Sequence, residues 1–128
     1  MKKLGILLVG VVALLLVGCG AQNSPEKAVK AYYKALKEKK FDEAATYCWT
    51  NPNDKDAQKN LSESLKKQYE EDNAIVDFKV LGSANSFEDK AEVSVVYEIS
   101  KPANKDDDKK KCEEVSVVKI DGKWYIKQ

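Results

Sequence analysis

The sequence predicts an α+β domain that follows a cleaved signal segment. An uncharged apolar run, Leu4–Val17, lies near the N-terminus and ends two residues before a cysteine. Beyond it the hydrophobic period is close to 3.6 residues as far as Glu71 and becomes 2 after Asn73, so helices should precede strands. The roughly 100 residues of this part are enough for one domain with a modest core. We therefore expect N-terminal helices packed on an antiparallel sheet of four strands.

The first twenty residues have the parts of an export signal. Lys2 and Lys3 precede the apolar run, and small residues follow it at Gly18 and Gly20. The run is shorter than the roughly 17 to 25 residues that a helix needs to cross a bilayer. A signal peptide over residues 1–18 is therefore favoured over a permanent transmembrane helix.

The tetrapeptide Leu16-Val17-Gly18-Cys19 resembles the processing motif of bacterial lipoproteins. The resemblance implies diacylglycerol on the Cys19 thiol, cleavage between Gly18 and Cys19, and retention on a membrane, since two or three acyl chains hold a protein firmly. Gly20 is not the Asp that retains lipoproteins in the inner membrane, so the cell membrane and the outer membrane both stay open, on the extracytoplasmic side. The alternative is a secreted protein whose cleavage site happens to end in Cys.

Composition excludes several classes of function. Removal of residues 1–18 takes away two lysines and changes the formal charge from +1 to −1, which does not favour nucleic acid as a partner. The sequence has no His, which excludes imidazole bases and His-ligated metals. Asp106–Asp108, in the charged loop Lys101–Lys111, lack the spacing of a calcium loop and precede three lysines. We predict neither a metal nor a cofactor.

Residues 19–23 form a short polar tether before the first helix. Ser24, Pro25 and Glu26 then combine a hydroxyl cap, a proline at the first helical position and an acid near the positive helix end. This helix should extend to about Lys39. Its apolar stripe consists of Ala28, Val29, Tyr32, Tyr33, Ala35 and Leu36.

Two further helices are predicted before the sheet. Phe41–Trp49 has apolar residues on one side and leads into a polar Asn-Pro loop. Ala57–Glu71 carries a thin apolar stripe of Leu61, Leu65 and Tyr69, and it should lie on the outside of the domain.

Four strands follow in the period-2 region. We predict them at Val76–Val80, Ala91–Ile99, Val115–Ile120 and Lys123–Lys127. Asp121-Gly122 is typical of a two-residue hairpin turn between the last two strands.

Cys48 and Cys112 remain when the lipidated cysteine is set aside. An even pair in an extracytoplasmic compartment favours a disulfide. Two separate buried thiols that act as small hydrophobic side chains are the alternative.

The order of three helices and four strands resembles that of a group of bacterial lipoproteins in the nuclear transport factor two-like, or cystatin-like, superfamily. The likeness covers about residues 24–128. It depends on the segment from Ser24 to Leu36, on Phe41-Asp42 and on the hairpin Asp121–Trp124. The resemblance implies a curved four-stranded sheet wrapped round the first helix to form a cone, often with a cavity. Most members of the group have no known function.

We predict a non-catalytic binding or accessory module that holds an unknown protein or small molecule, with a homodimer as a further candidate assembly. Ligand sites are mostly apolar with a few polar groups, so aromatic side chains could line the cavity. The same rings could instead simply fill the core. The candidates are Tyr32, Tyr33, Trp49, Phe78, Tyr97 and Trp124.

An enzyme is the alternative from a different class. The resemblance implies it, because cones of this superfamily host isomerases and dehydratases that transfer protons in the cavity. Such a site needs an inward carboxylate or His beside tyrosine donors. Asp77, Glu92 and Glu98 fall on the strand face opposite the apolar residues, so we predict no catalytic residues. An inhibitory or structural interaction protein is the third hypothesis.

Overall fold

The computed structural model describes residues 20–84, 86–100 and 109–128. The predicted signal peptide 1–18, the lipidation site Cys19 and most of the charged loop, residues 101–108, lie outside the described residues. The predicted order of helices and strands is confirmed. The elements are α1 (Pro25–Lys37), α2 (Phe41–Thr46), α3 (Ala57–Tyr69), a 3-10 turn (Glu71–Asn73), β1 (Ile75–Ala84), β2 (Lys90–Ile99), β3 (Lys110–Ile120) and β4 (Lys123–Ile126).

The four strands form one antiparallel meander in the order β1-β2-β3-β4. Val93 pairs with Val115, and Val117 pairs with both Ala91 and Ile126, so these apolar side chains share the face that meets the helices. The register of β1 shifts twice, and such irregularities bend a strand. The sheet is curved, with the core on its concave face.

Helix α1 lies against that concave face. The Ser24 side chain accepts a hydrogen bond from the Lys27 backbone N–H at 3.2 Å, and Pro25 occupies the first helical position, as predicted. The helix ends at Lys37 rather than at Lys39, because Lys39 has a left-handed backbone with a φ of 61°. Every residue of the predicted apolar stripe is buried: Ala28, Val29, Tyr32, Tyr33, Ala35 and Leu36.

Helix α2 is shorter than predicted. It ends at Thr46 and does not reach Trp49. The following residues leave the helix because they pair with β4: Ile126 N–H donates to the Tyr47 carbonyl and Trp49 N–H donates to the Ile126 carbonyl, both at 2.8 Å. These backbone bonds satisfy groups that a longer helix would have used internally.

Helix α3 packs on α2 and is less peripheral than its thin stripe predicted. Leu65 and Tyr69 are buried in the core, and the Ser62 hydroxyl donates a hydrogen bond to the Asp42 carboxylate. The helix ends at Tyr69, two residues before the predicted end.

Strand β3 is longer than predicted, since it begins at Lys110 rather than at Val115. The additional residues pair with β2, with Glu113 opposite Val95. Glu113 therefore shares the inward face with Val115. The predicted turn at Asp121-Gly122 is confirmed, with φ values of 53° and 83° that favour a two-residue hairpin.

Candidate functional site

The concave face opens where β4 stops and β3 continues. β4 ends at Ile126, opposite Val117, while β3 extends back to Lys110. A cleft of about 240 Å³ lies there between β3, α1 and the end of α3. We call it the tyrosine cleft, and its walls include Tyr32, Tyr33, Tyr69, Glu113 and Gln128.

Tyr33 is the centre of this group. Its hydroxyl donates a hydrogen bond to Oε2 of Glu113 at 3.0 Å. Its ring centroid lies 5.4 Å from that of Tyr32, in an edge-to-face arrangement, and 5.5 Å from that of Tyr97. The Phe78 ring lies 5.9 Å away on β1. Aromatic pairs at such separations stabilise one another, so the Tyr33 hydroxyl is held in position.

The electrostatics of the cleft keep these hydroxyls protonated. Burial is the largest cause that raises the pKa of Tyr33, Tyr69 and Tyr97 above the ordinary tyrosine value, and the charge of Glu113 raises it further. Burial likewise raises the pKa of Tyr32. The cleft therefore offers hydroxyl donors beside the Glu113 side chain, with Glu114 and Lys127 also on its walls.

Cys48 lies behind the cleft and is an unreactive thiol. Burial raises its pKa to about 12. Its Sγ accepts a hydrogen bond from Nε2 of Gln128 at 3.5 Å and donates to the Ala44 carbonyl at 3.7 Å. Because the thiolate is the nucleophilic form, this residue has no nucleophilic role at neutral pH.

The structure does not join Cys48 to Cys112. Both are free thiols, and Cys112 is exposed rather than buried. Cys48 lies beside Ile126, which pairs with Val117, whereas Cys112 is five residues from Val117 along β3. Five residues of strand span about 17 Å, and a disulfide requires Cα atoms within about 7 Å.

The structure brings together four of the six predicted lining residues. Tyr32 and Tyr33 line the tyrosine cleft, and the half-buried rings of Phe78 and Tyr97 pack against Tyr33. Trp124 is buried at the other end of the sheet beside Gln22. Trp49 is exposed next to Ile120, because α2 ends before it.

Sequence reasoning missed Tyr69 and Glu113 as site residues. Tyr69 was recognised only as part of the apolar stripe of α3, and its position at the helix end brings it to the cleft. Glu113 has the same parity as Val115 and Val117, so an extension of the alternation back along β3 would have placed it inward.

Asp77, Glu92 and Glu98 occupy register positions that alternate with the inward residues, as their parity predicted. Asp77 pairs with Glu98, and Glu92 pairs with Ser116. Within the described ranges, no three His, Cys, Asp or Glu side chains gather closely enough to hold a metal ion. Over the same residues, no helix is both long and apolar enough to cross a membrane.

Solved structures share this arrangement of helices on a curved meander. A Campylobacter jejuni protein, provisionally named an NTF2-like transpeptidase, matches over 82% of this chain and 98% of its own, with a TM-score of 0.56 and 16% identity. An NTF2-like protein of unknown function from Shewanella oneidensis matches over 78% and 88%, with a TM-score of 0.52 and 17% identity. This chain has the NTF2-like fold.

A third match is a SEC-C motif containing protein from Rhodopseudomonas palustris. It covers 83% of this chain and 77% of its own, with a TM-score of 0.62 and 20% identity. No protein-family model and no curated protein matches the chain. At these identities the likeness is one of fold, and function has to be argued from the site. In this domain the candidate site is the tyrosine cleft on the concave face.

Proposed function

We propose that this protein is a lipid-anchored lipoprotein of the cell envelope and that its NTF2-like domain is a non-catalytic binding module. The anchor is supported by the sequence Leu16-Val17-Gly18-Cys19 at the end of a basic and apolar signal segment. The domain begins almost at once after the lipidated position, since Gln22 is already buried.

The tyrosine cleft supports the binding role. The observation that carries it is the hydrogen bond from the Tyr33 hydroxyl to Glu113, which holds a carboxylate at the mouth of an aromatic cleft. A carboxylate beside aromatic faces suits a protonated amine, through a charge-assisted hydrogen bond and cation–π attraction. The volume of about 240 Å³ suits a small group such as an amine-bearing side chain or a short polyamine.

Native mass spectrometry of the protein extracted from membranes tests both parts. We expect a mass that starts at diacylated Cys19 and a bound amine that Glu113→Gln loses. Glu98→Gln, on the convex face of β2, is the matched control and should keep the amine. Equal retention of the amine by both variants would exclude the cleft as its binding site. If the wild-type protein lacks the lipid, as Cys19→Ala should, the anchor is excluded. A stoichiometric protein in all of these samples would favour the interaction hypothesis instead.

An enzyme is the second candidate, and a specific observation favours it. Glu113 is an inward acid beside tyrosine donors, which is the pair that proton transfer next to a carbonyl requires. Glu113 would remove the proton, and the Tyr33 hydroxyl, which donates to Glu113 in this structure, would turn to the developing oxyanion. The test is deuterium exchange into a panel of ketones in heavy water, followed by nuclear magnetic resonance. Exchange with wild type and its loss in Glu113→Gln would support the enzyme, and no exchange with wild type would exclude it for that panel.

A further inference from the structure

The residues that follow Cys19 are built into the domain and do not form a free tether. Gln22 is only 8% exposed, and it exchanges two hydrogen bonds with Trp124: the Trp124 N–H donates to the Gln22 carbonyl, and Nε2 of Gln22 donates to the Trp124 carbonyl, both at 3.0 Å. Three residues of chain span at most about 11 Å. A lipid on Cys19 therefore holds the domain within that distance of Gln22.

Gln22 lies at one defined end of the molecule. The β1–β2 connection and the β3–β4 turn meet there, together with the N-terminus of α1, where the Ser83 hydroxyl donates to Glu26 at 2.5 Å. The Lys119 N–H donates to the Asp89 carbonyl at 2.8 Å and joins the two hairpins. We call this region, residues 22–26, 49, 81–84, 86–90 and 119–124, the hairpin end.

The hairpin end concentrates the exposed apolar side chains. Of the five large hydrophobic residues that are exposed within the described part of the chain, only Val76 lies at the opposite end. Phe87 is 73% exposed and Leu81 is 55% exposed. Ile120 and Trp49 form one groove beside them. Such a concentration of apolar surface in one region marks an interaction site.

The charges around these side chains are mixed, since the hairpin end carries three lysines and four carboxylates: Lys90, Lys119, Lys123, Glu26, Glu88, Asp89 and Asp121. Five lysines and three carboxylates line the grooves beside Leu81, Phe87 and Trp49. Exposed aromatic rings together with lysines favour the interface of a bilayer. The charged residues that line these grooves are Lys27, Lys30, Lys90, Lys119, Lys127, Glu26, Asp89 and Glu92.

We propose that the hairpin end lies directly on the membrane that carries the anchor, with Phe87, Leu81 and Trp49 in the headgroup region. This inference rests on the proposed lipidation of Cys19. The anchor brings this end, and no other, against the bilayer. Glu113 lies seven residues from Ile120 along β3, about 23 Å away, so the tyrosine cleft opens toward the aqueous side.

The test uses the full-length lipidated protein in vesicles of phosphatidylcholine and phosphatidylglycerol. A fluorescent label is placed at Ser86→Cys, beside Phe87, or at Val76→Cys, at the opposite end, each with Cys112→Ser. Acrylamide quenching measures the exposure of each label. We expect quenching at position 86 to be several-fold lower than at position 76 in vesicles and to recover in Leu81→Ser/Phe87→Ser, while position 76 stays exposed.

Flotation and intact mass separate the ways in which this could fail. Lipidated protein that floats with both labels equally quenched would keep the anchor and overturn the docking. Protein without lipid that does not float would overturn the proposed anchor and this inference with it. Protection of position 86 in detergent, together with a doubled mass, would show that a second copy covers the hairpin end and would also overturn the proposal.

Discussion

Tyr33 combines deep burial with a polar task. The residue is 1% exposed, yet its hydroxyl reaches the Glu113 carboxylate at the edge of the cleft. Its ring also contacts Tyr32, Phe78 and Tyr97, which come from α1, β1 and β2. One side chain thus links the helix to the strands and orients the acceptor of the cleft.

The buried tyrosines make stability depend on pH in the alkaline range. The pKa values of Tyr32, Tyr33 and Tyr69 are raised in the folded state, so these groups stay protonated while the unfolded chain ionises above about pH 10. Cys48 acts in the same direction, because its pKa is 9.0 when unperturbed and about 12 when folded. The free energy of unfolding should therefore fall from about pH 9 upward, by as much as about 1.4 kcal/mol per pH unit for each group.

Urea unfolding between pH 8 and 11 measures this slope. Tyr33→Phe removes one of the buried groups and should make the slope shallower by up to about 1.4 kcal/mol per pH unit. Tyr125→Phe, on the convex face of β4, is the matched control and should change the slope less than Tyr33→Phe does. Indistinguishable slopes in all three proteins would contradict the assignment.

At the scale of elements, the start of α1 is the clearest case of a local signal with a measurable contribution. The Ser24 hydroxyl satisfies the Lys27 N–H, a group that has no partner within the helix. Ser24→Ala should lower the free energy of unfolding by about 1 kcal/mol, since that is the typical contribution of a hydroxyl cap. Denaturation in urea measures it. Ser64→Ala, at an exposed interior position of α3, should cost nothing, because alanine is the better helix former. An equal loss in both variants would argue against the cap.

At the scale of the whole molecule, the sheet determines how the two thiols behave. β3 holds Cys112 at an exposed position far from Cys48, which is buried against α2 and β4. We expect a thiol reagent to modify Cys112 in the native protein and Cys48 only after unfolding, with no mass change on reduction. Intact mass before and after urea reports both. A mass increase of about two daltons on reduction would show a disulfide instead.

Much of the fold follows from signals within a few residues of one another. The Ser24-Pro25 start, the alternation along β2 and the Asp121-Gly122 turn were all read correctly, because caps, turns and periodicity are local properties of the backbone. Element ends were read less well. α2 stops at Thr46 only because the next residues find partners on β4, which lies far along the chain.

The sequence by itself determined the helix-then-strand order, the parity of the strand acids and the predicted lipidation motif. Only the tertiary structure decided that Tyr33 meets Glu113, 80 residues away, and that Gln22 docks on Trp124, 102 residues away. The physical reason is that local preferences act over a few residues, whereas side chains from separate elements meet through sheet register and helix packing. Those depend on how all the elements share one core.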